Sequence, residues 1–95
     1  MSYFNPRPMP QPLPALFGKL VRLRREAAGL SQEELGAQTN LSRNYIGMVE
    51  RGETNPTLLV LQDLASALGT TMSSLIVELE VAAAKPASAK GKTKT

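Results

Sequence analysis

Four positions cut this chain into short pieces: Gly29, Asn40, Gly52 and Gly69 each follow an apolar, helix-spaced stretch. Each tolerates the left-handed backbone that ends a helix. A capping residue follows every one of them. Ser31, Ser42, Thr57 and Thr71 can each offer a side-chain oxygen to the unpaired amides of a new first turn. Before the first stop, Phe17, Leu20, Val21 and Ala28 recur at helical spacing, and Pro14 fits a first-turn position. Ser31 and Glu34 have the spacing of a capping box, Leu35 is an inward anchor, and that second helix ends near Thr39. Ser42 opens a third helix running to Arg51. Thr57 opens a fourth, whose Leu58, Leu61, Leu64, Ala65 and Leu68 form one apolar stripe. Thr71 starts a fifth, with Met72, Leu75, Ile76 and Leu79 on its inner face. No segment alternates apolar and polar residues as a half-buried strand would, so the expected fold class is all-α, a compact bundle of about five short helices.

The flanks differ in kind. Residues 1–14 read as a proline-rich extended arm, because a proline at every second position from Pro6 to Pro14 removes half the amide donors. Such an arm is either a stiff spacer or a segment that touches DNA or a partner. Residues 83–95 read as a disordered basic tail with nothing to bury. The domain proper is expected over residues 15–82. From Ala15 to Val81 it carries six bases against eight acids, so the net charge of +3 arises from Arg7 and from Lys85, Lys90, Lys92 and Lys94. Bulk charge is therefore poor evidence for a partner, and local arrangement must carry the argument.

Several function classes drop out. The chain has no cysteine and no histidine, which removes zinc fingers, thiol nucleophiles and imidazole proton shuttles. Five short helices bearing only surface carboxylates offer no acid, base and nucleophile in a concave site, so no enzyme, no metal, no cofactor and no small-molecule ligand is expected. No apolar run approaches the roughly 20 residues that span a bilayer, and no signal peptide is recognisable. The expectation is a cytoplasmic protein without a membrane partner.

The second and third helices, separated by about three residues around Asn40 and Ser42, have the layout of a helix-turn-helix. A helix entering the B-DNA major groove N-terminus first brings its opening side chains to base edges. On this basis the expected partner is double-stranded DNA. Arg43 can donate two hydrogen bonds to guanine O6 and N7 or bind a phosphate, and Asn44 can bridge adenine N6 and N7. The plainer alternative is that both are solvated residues at a helix start.

The chain also resembles the Cro/C1-type, phage repressor-like helix-turn-helix family. The resemblance rests on Arg25, the run Gly29-Leu30-Ser31-Gln32-Glu33-Glu34-Leu35, Leu41-Ser42, Ile46, Val49-Glu50-Arg51-Gly52, Pro56, and Leu61 to Gly69. It spans about residues 17–79. It implies a sequence-specific transcription regulator in which Arg43, Asn44 and Met48 meet bases. Gln32, Ser42, Tyr45 and Arg51 would meet the DNA backbone, with Gln32 also bracing the start of the third helix. Arg25 and Glu50 would form a structural ion pair. An antitoxin or other protein-interaction module built on the same fold is the alternative, and a protein antagonist would be its partner.

Where the chain departs from the family pattern, three consequences are expected. Asn40 replaces the usual Gly in the turn, which the left-handed region tolerates. Thr39 replaces an aliphatic residue and should loosen the second helix against the core. Gly36 and Gly47 sit inside helices at roughly 1 kcal/mol each relative to Ala. On the outer face of the third helix, Gly47 would either let the backbone approach DNA or be a neutral change. Val77 and Val81, with Ile76 and Leu79, would give the fifth helix an apolar edge for a homodimer.

Overall fold

The computed structural model describes residues 12–84, which form five α-helices: α1 (Leu13–Ala27), α2 (Gln32–Thr39), α3 (Arg43–Glu50), α4 (Leu58–Ala67) and α5 (Met72–Ala84). The basic tail from Lys85 and the arm through residue 11 lie outside the described residues. All four breakpoints have positive φ: 75° at Gly29, 63° at Asn40, 75° at Gly52 and 73° at Gly69. Ser31, Ser42 and Thr57 each accept a hydrogen bond from the amide three residues on, and Ser31 with Glu34 forms the full capping box. Thr71 Oγ1 accepts from the Ser74 amide at 3.0 Å in the same way.

α1 begins at Leu13, inside the stretch expected to be extended. Pro12 is its N-cap and a proline occupies its first turn, where a missing N–H removes no intrahelical bond. α5 continues to Ala84, two residues past the expected domain limit, since alanine is the strongest helix former.

Every helix sends side chains into one core of Phe17, Val21, Leu35, Ile46, Val49, Leu64, Ala65, Leu68 and Leu75. Three parts of the expected apolar faces lie elsewhere. Ala28 is exposed at the C-cap of α1. Leu58 is 74% exposed and Leu59 71%, because the first turn of α4 projects past the core and only the later part of the stripe is covered. Ile76 is 37% exposed, so it belongs to the outer edge of α5 rather than its inner face.

The helices that build the site are held by backbone contact. A Cβ on Gly18 of α1 would lie 2.3 Å from Val49 O and 2.6 Å from Glu50 O in α3. At Gly36 of α2 it would lie 2.6 Å from Leu41 O in the turn. Gly36 therefore has a packing reason for its propensity cost. Thr39, expected to loosen α2, is buried, and its hydroxyl donates toward Leu35 O (2.8 Å) and Gly36 O (3.1 Å). The same oxygen accepts from the Leu41 amide at 3.3 Å, tying α2 to the turn instead.

α5 is fastened to α1 by Arg24, whose Nε donates to Glu78 Oε1 at 3.0 Å while Nη2 bonds Oε2. That hydrogen bonding holds the Glu78 carboxyl below its ordinary value of 4.5. A carboxyl depressed on folding stabilises fully above its unfolded value, and the contribution fades as pH falls through the folded one. Both side chains are partly exposed, so the pair is worth about 0.5 kcal/mol. Glu78→Gln should lower stability by that amount at pH 7. In thermal melts, the gap from the parent should close as the pH is taken from about 5 toward 3.

Among the described residues no single helix is long and apolar enough to cross a membrane; α4 and α5 together have the composition, but they meet at 101° and bury Leu64, Ala65 and Leu75 within the core.

Candidate nucleic-acid interface

α3 divides along its length by the helical period. Ile46 and Val49 are buried, Tyr45 is half-buried against the core, and Arg43 and Asn44 are exposed on the opening turn. Ser42 Oγ accepts the Tyr45 amide at 2.9 Å, which fixes the start of the helix and leaves its own hydroxyl hydrogen free to donate. Asn44 Nδ2 lies 3.8 Å from Met48 Sδ, so these two side chains lie together one turn apart. Asn44 and Met48 thus share one strip of the helix, Arg43 is exposed beside Asn44 on the same opening turn, and the free amides of that turn favour an anion.

Beside this strip sits a polar network spanning three helices. Arg25 of α1 donates from Nε to Glu50 Oε2 at 2.6 Å and from Nη2 to Oε1 at 3.1 Å. Its Nη1 donates to Leu30 O at 2.7 Å. Glu50 also accepts from Gln32 Nε2 at 3.0 Å. The Arg25 and Glu50 side chains are 10% and 4% exposed, so these charges are desolvated and their geometry must satisfy each other. Hydrogen bonding to Glu50 raises the pKa of Arg25 further above its ordinary value, keeping the guanidinium charged at any working pH.

Gln32 was expected to brace the start of α3. It braces the last residue instead, because the N-terminus of α2 lies against the C-terminal end of α3, where Glu50 offers a carboxylate. One hydrogen of its amide is engaged there; the amide carries a second.

Arg51 caps α3, and its exposed side chain donates to Glu53 from Nε (2.9 Å) and Nη2 (3.3 Å). Those bonds raise the arginine pKa and lower that of Glu53. The Glu53 partnership was not anticipated; two opposite charges bracketing Gly52 are the sequence signal for it. Gly47 differs from expectation as well: it is buried rather than on an open face. A Cβ there would meet Arg51 Nη1 at 3.0 Å and both Gln32 carboxamide atoms at 3.8 Å. On α5, Val77 and Val81 are each 55% exposed, Ile76 flanks them, and Leu79 is half-buried against the core.

The chain matches the helix-turn-helix family HTH_3 over residues 21–75. It is 40% identical over 62 residues to the control protein C.MunI of Mycoplasma sp, covering 65% of this chain and 84% of that one. To the immunity repressor protein of Bacillus phage phi105 it is 36% identical, covering 64% and 42%. The crystal structure of the restriction-modification controller protein C.AhdI from Aeromonas hydrophila superposes with a TM-score of 0.64 at 42% identity, covering 65% of this chain and 94% of that one. The arrangement of α2, turn and α3, with the match over more than half of the sequence, places the chain in the Cro/C1-type helix-turn-helix family, whose members are DNA-binding transcriptional regulators and not enzymes.

Proposed function

We propose that this regulator is a cytoplasmic homodimer that binds a palindromic operator sequence-specifically and represses transcription from it. The observation that carries the reading is the exposed opening turn of α3, where Arg43 and Asn44 stand clear of the core, with the Gln32 carboxamide and Arg51 Nη1 lying over Gly47 one turn further along the same helix. In this reading Arg43, Asn44 and Met48 face bases, while Gln32, Ser42, Tyr45 and Arg51 hold the backbone. Immunoprecipitation of bound genomic DNA tests it directly. It should return a small set of sites with two-fold symmetry, and fragments without a shared sequence would refute specific regulation.

Positioning and reading are separable within this surface. Phosphate contacts carry no sequence information, so Gln32→Ala and Arg51→Ala should weaken binding by similar factors on operator and scrambled duplexes. Arg43→Ala and Asn44→Ala should instead lose roughly 1–3 kcal/mol of discrimination at defined base pairs and retain non-specific binding. Titrations against single-base operator variants at fixed salt distinguish the two patterns. An unchanged base profile in both α3 variants would end the readout assignment.

The dimer reading is supported by the exposed edge of Val77, Val81 and Ile76, which continues into an apolar groove bordered by Leu13, Phe17 and Leu79. A two-fold pairing across α5 would set the two α3 helices about 34 Å apart, one turn of B-DNA. Val77→Glu with Val81→Glu is expected to give a monomer in sedimentation and to bind single half-sites only. A parent protein that stays monomeric at tens of micromolar, with and without DNA, would exclude the homodimer.

A further inference from the structure

Gly47 stands at mid-helix in α3 with no positive φ to require a glycine. It is nevertheless buried, and its cover is polar: Arg51 Nη1 and the Gln32 carboxamide lie over its Cα. Other donors of these two side chains are already engaged. Glu53 takes Arg51 Nε and Nη2, and Glu50 takes one hydrogen of Gln32 Nε2. What is left over Gly47 is the Nη1 group of Arg51 and the second amide hydrogen of Gln32, brought near one point by two carboxylates behind them.

We infer that Gly47 is a positioning residue: its missing side chain leaves the space in which Arg51 Nη1 and the Gln32 amide converge on a single phosphate group. The inference rests on the backbone contacts proposed above for Gln32 and Arg51, and it assigns them one shared phosphate rather than two separate ones. A methyl at residue 47 would press on the guanidinium at 3.0 Å. That group is exposed and at the end of a flexible chain, so the fold absorbs the methyl by moving the arginine off the shared point. A larger side chain fills the space outright.

The effects on stability and on binding therefore oppose each other. Gly47→Ala adds helix propensity, so its Tm should equal or exceed that of the parent. Its affinity for operator and scrambled duplexes should fall together, and Gly47→Leu should fall further, on the order of tenfold, as expected for loss of a charge-assisted contact. The slope of log affinity against log salt should drop by about one in the leucine variant. Gly47→Ala should not add to Arg51→Ala, because the methyl acts through that side chain, and Gly47→Leu should add only in part, through the Gln32 amide. A folded Gly47→Leu that binds as the parent does, beside an Arg51→Ala that binds weakly, would overturn the role of Gly47 alone. If Arg51→Ala and Gln32→Ala both leave affinity unchanged, the backbone contacts themselves are wrong and the inference falls with them. A loss for Gly47→Leu that adds fully to that of Arg51→Ala would also overturn it, since the side chain would then be acting through the bulk fold.

Discussion

Arg25→Ala should cost about 3–5 kcal/mol of stability, the loss typical of breaking a buried ion pair from one side. The Glu50 side chain, 4% exposed, would keep only the Gln32 amide as a partner, and Leu30 O would lose its donor. A small domain has on the order of 5–15 kcal/mol in total. At about 4–8 °C per kcal/mol, Tm should fall by tens of degrees. Arg25→Lys should lie between parent and alanine, because a single ammonium keeps the charge but cannot reproduce a fork that reaches both Glu50 oxygens and Leu30 O. Thermal and urea unfolding followed by circular dichroism measure both. A loss under 1 kcal/mol for the alanine variant would show that the network is dispensable to the fold. Replacing Arg25 and Glu50 together by apolar residues of similar volume should recover much of the loss, while freeing the Gln32 amide that Glu50 now holds.

Gly18→Ala is the second large effect, with an expected loss of about 3 kcal/mol at the upper end of the usual overpacking range. The methyl would have to enter space 2.3 Å from Val49 O and 2.6 Å from Glu50 O. These are backbone atoms, so no rotamer change can yield. α1 and α3 must part, which costs more than the roughly 1 kcal/mol that alanine contributes in helix propensity. The contrast with Gly47→Ala is internal to the molecule, since there the obstructing atom ends an exposed arginine and stability should not fall. Urea denaturation of both variants makes the comparison. A Gly18→Ala protein as stable as its parent would mean that α1 and α3 do not approach this closely. Whatever fraction of that variant folds should bind operator poorly, because α3 is displaced relative to α2 and Gln32.

The boundaries of the helices were readable because their causes are local. A capping hydroxyl and the amide it accepts are three residues apart, and the conformation at Gly29, Asn40, Gly52 and Gly69 depends on little beyond the residue itself. Pro14 sits in the first turn as its type allows, but the extended reading of the proline arm ran into that turn and missed that the helix already begins at Leu13. Periodicity overreached at Leu58 and Ile76, since it gives the direction of a face but not how far the core extends beneath it. The roles of Gly18 and Gly36 are set by carbonyls 31 and 5 residues away, across a crossing that exists only in the folded chain. On the interface, residue type alone singled out Arg43 and Asn44 by their capacity for paired base contacts. The convergence of Gln32 and Arg51 over Gly47 needed coordinates, because it joins one end of α2 to the far end of α3. Arg24 and Glu78 are 54 residues apart, and nothing in their neighbours along the chain marks them as partners.

The contact between α1 and α3 leaves no side chain at its closest point, only Gly18 against main-chain carbonyls. A crossing filled by side chains can be retuned by exchanging a leucine for a methionine or a valine, shifting a helix by fractions of an ångström. This one has no such adjustment. The pose of α3 is therefore fixed by main chain at this crossing, and on the reading proposed above variation in what the surface recognises falls to side chains that project from the helix, Arg43, Asn44 and Met48 first among them. Arg43 and Asn44 are exposed and outside the core, so exchanging them should carry little folding penalty. Duplicated copies of such a gene could then diverge toward different operators in single substitutions, without passing through unfolded intermediates.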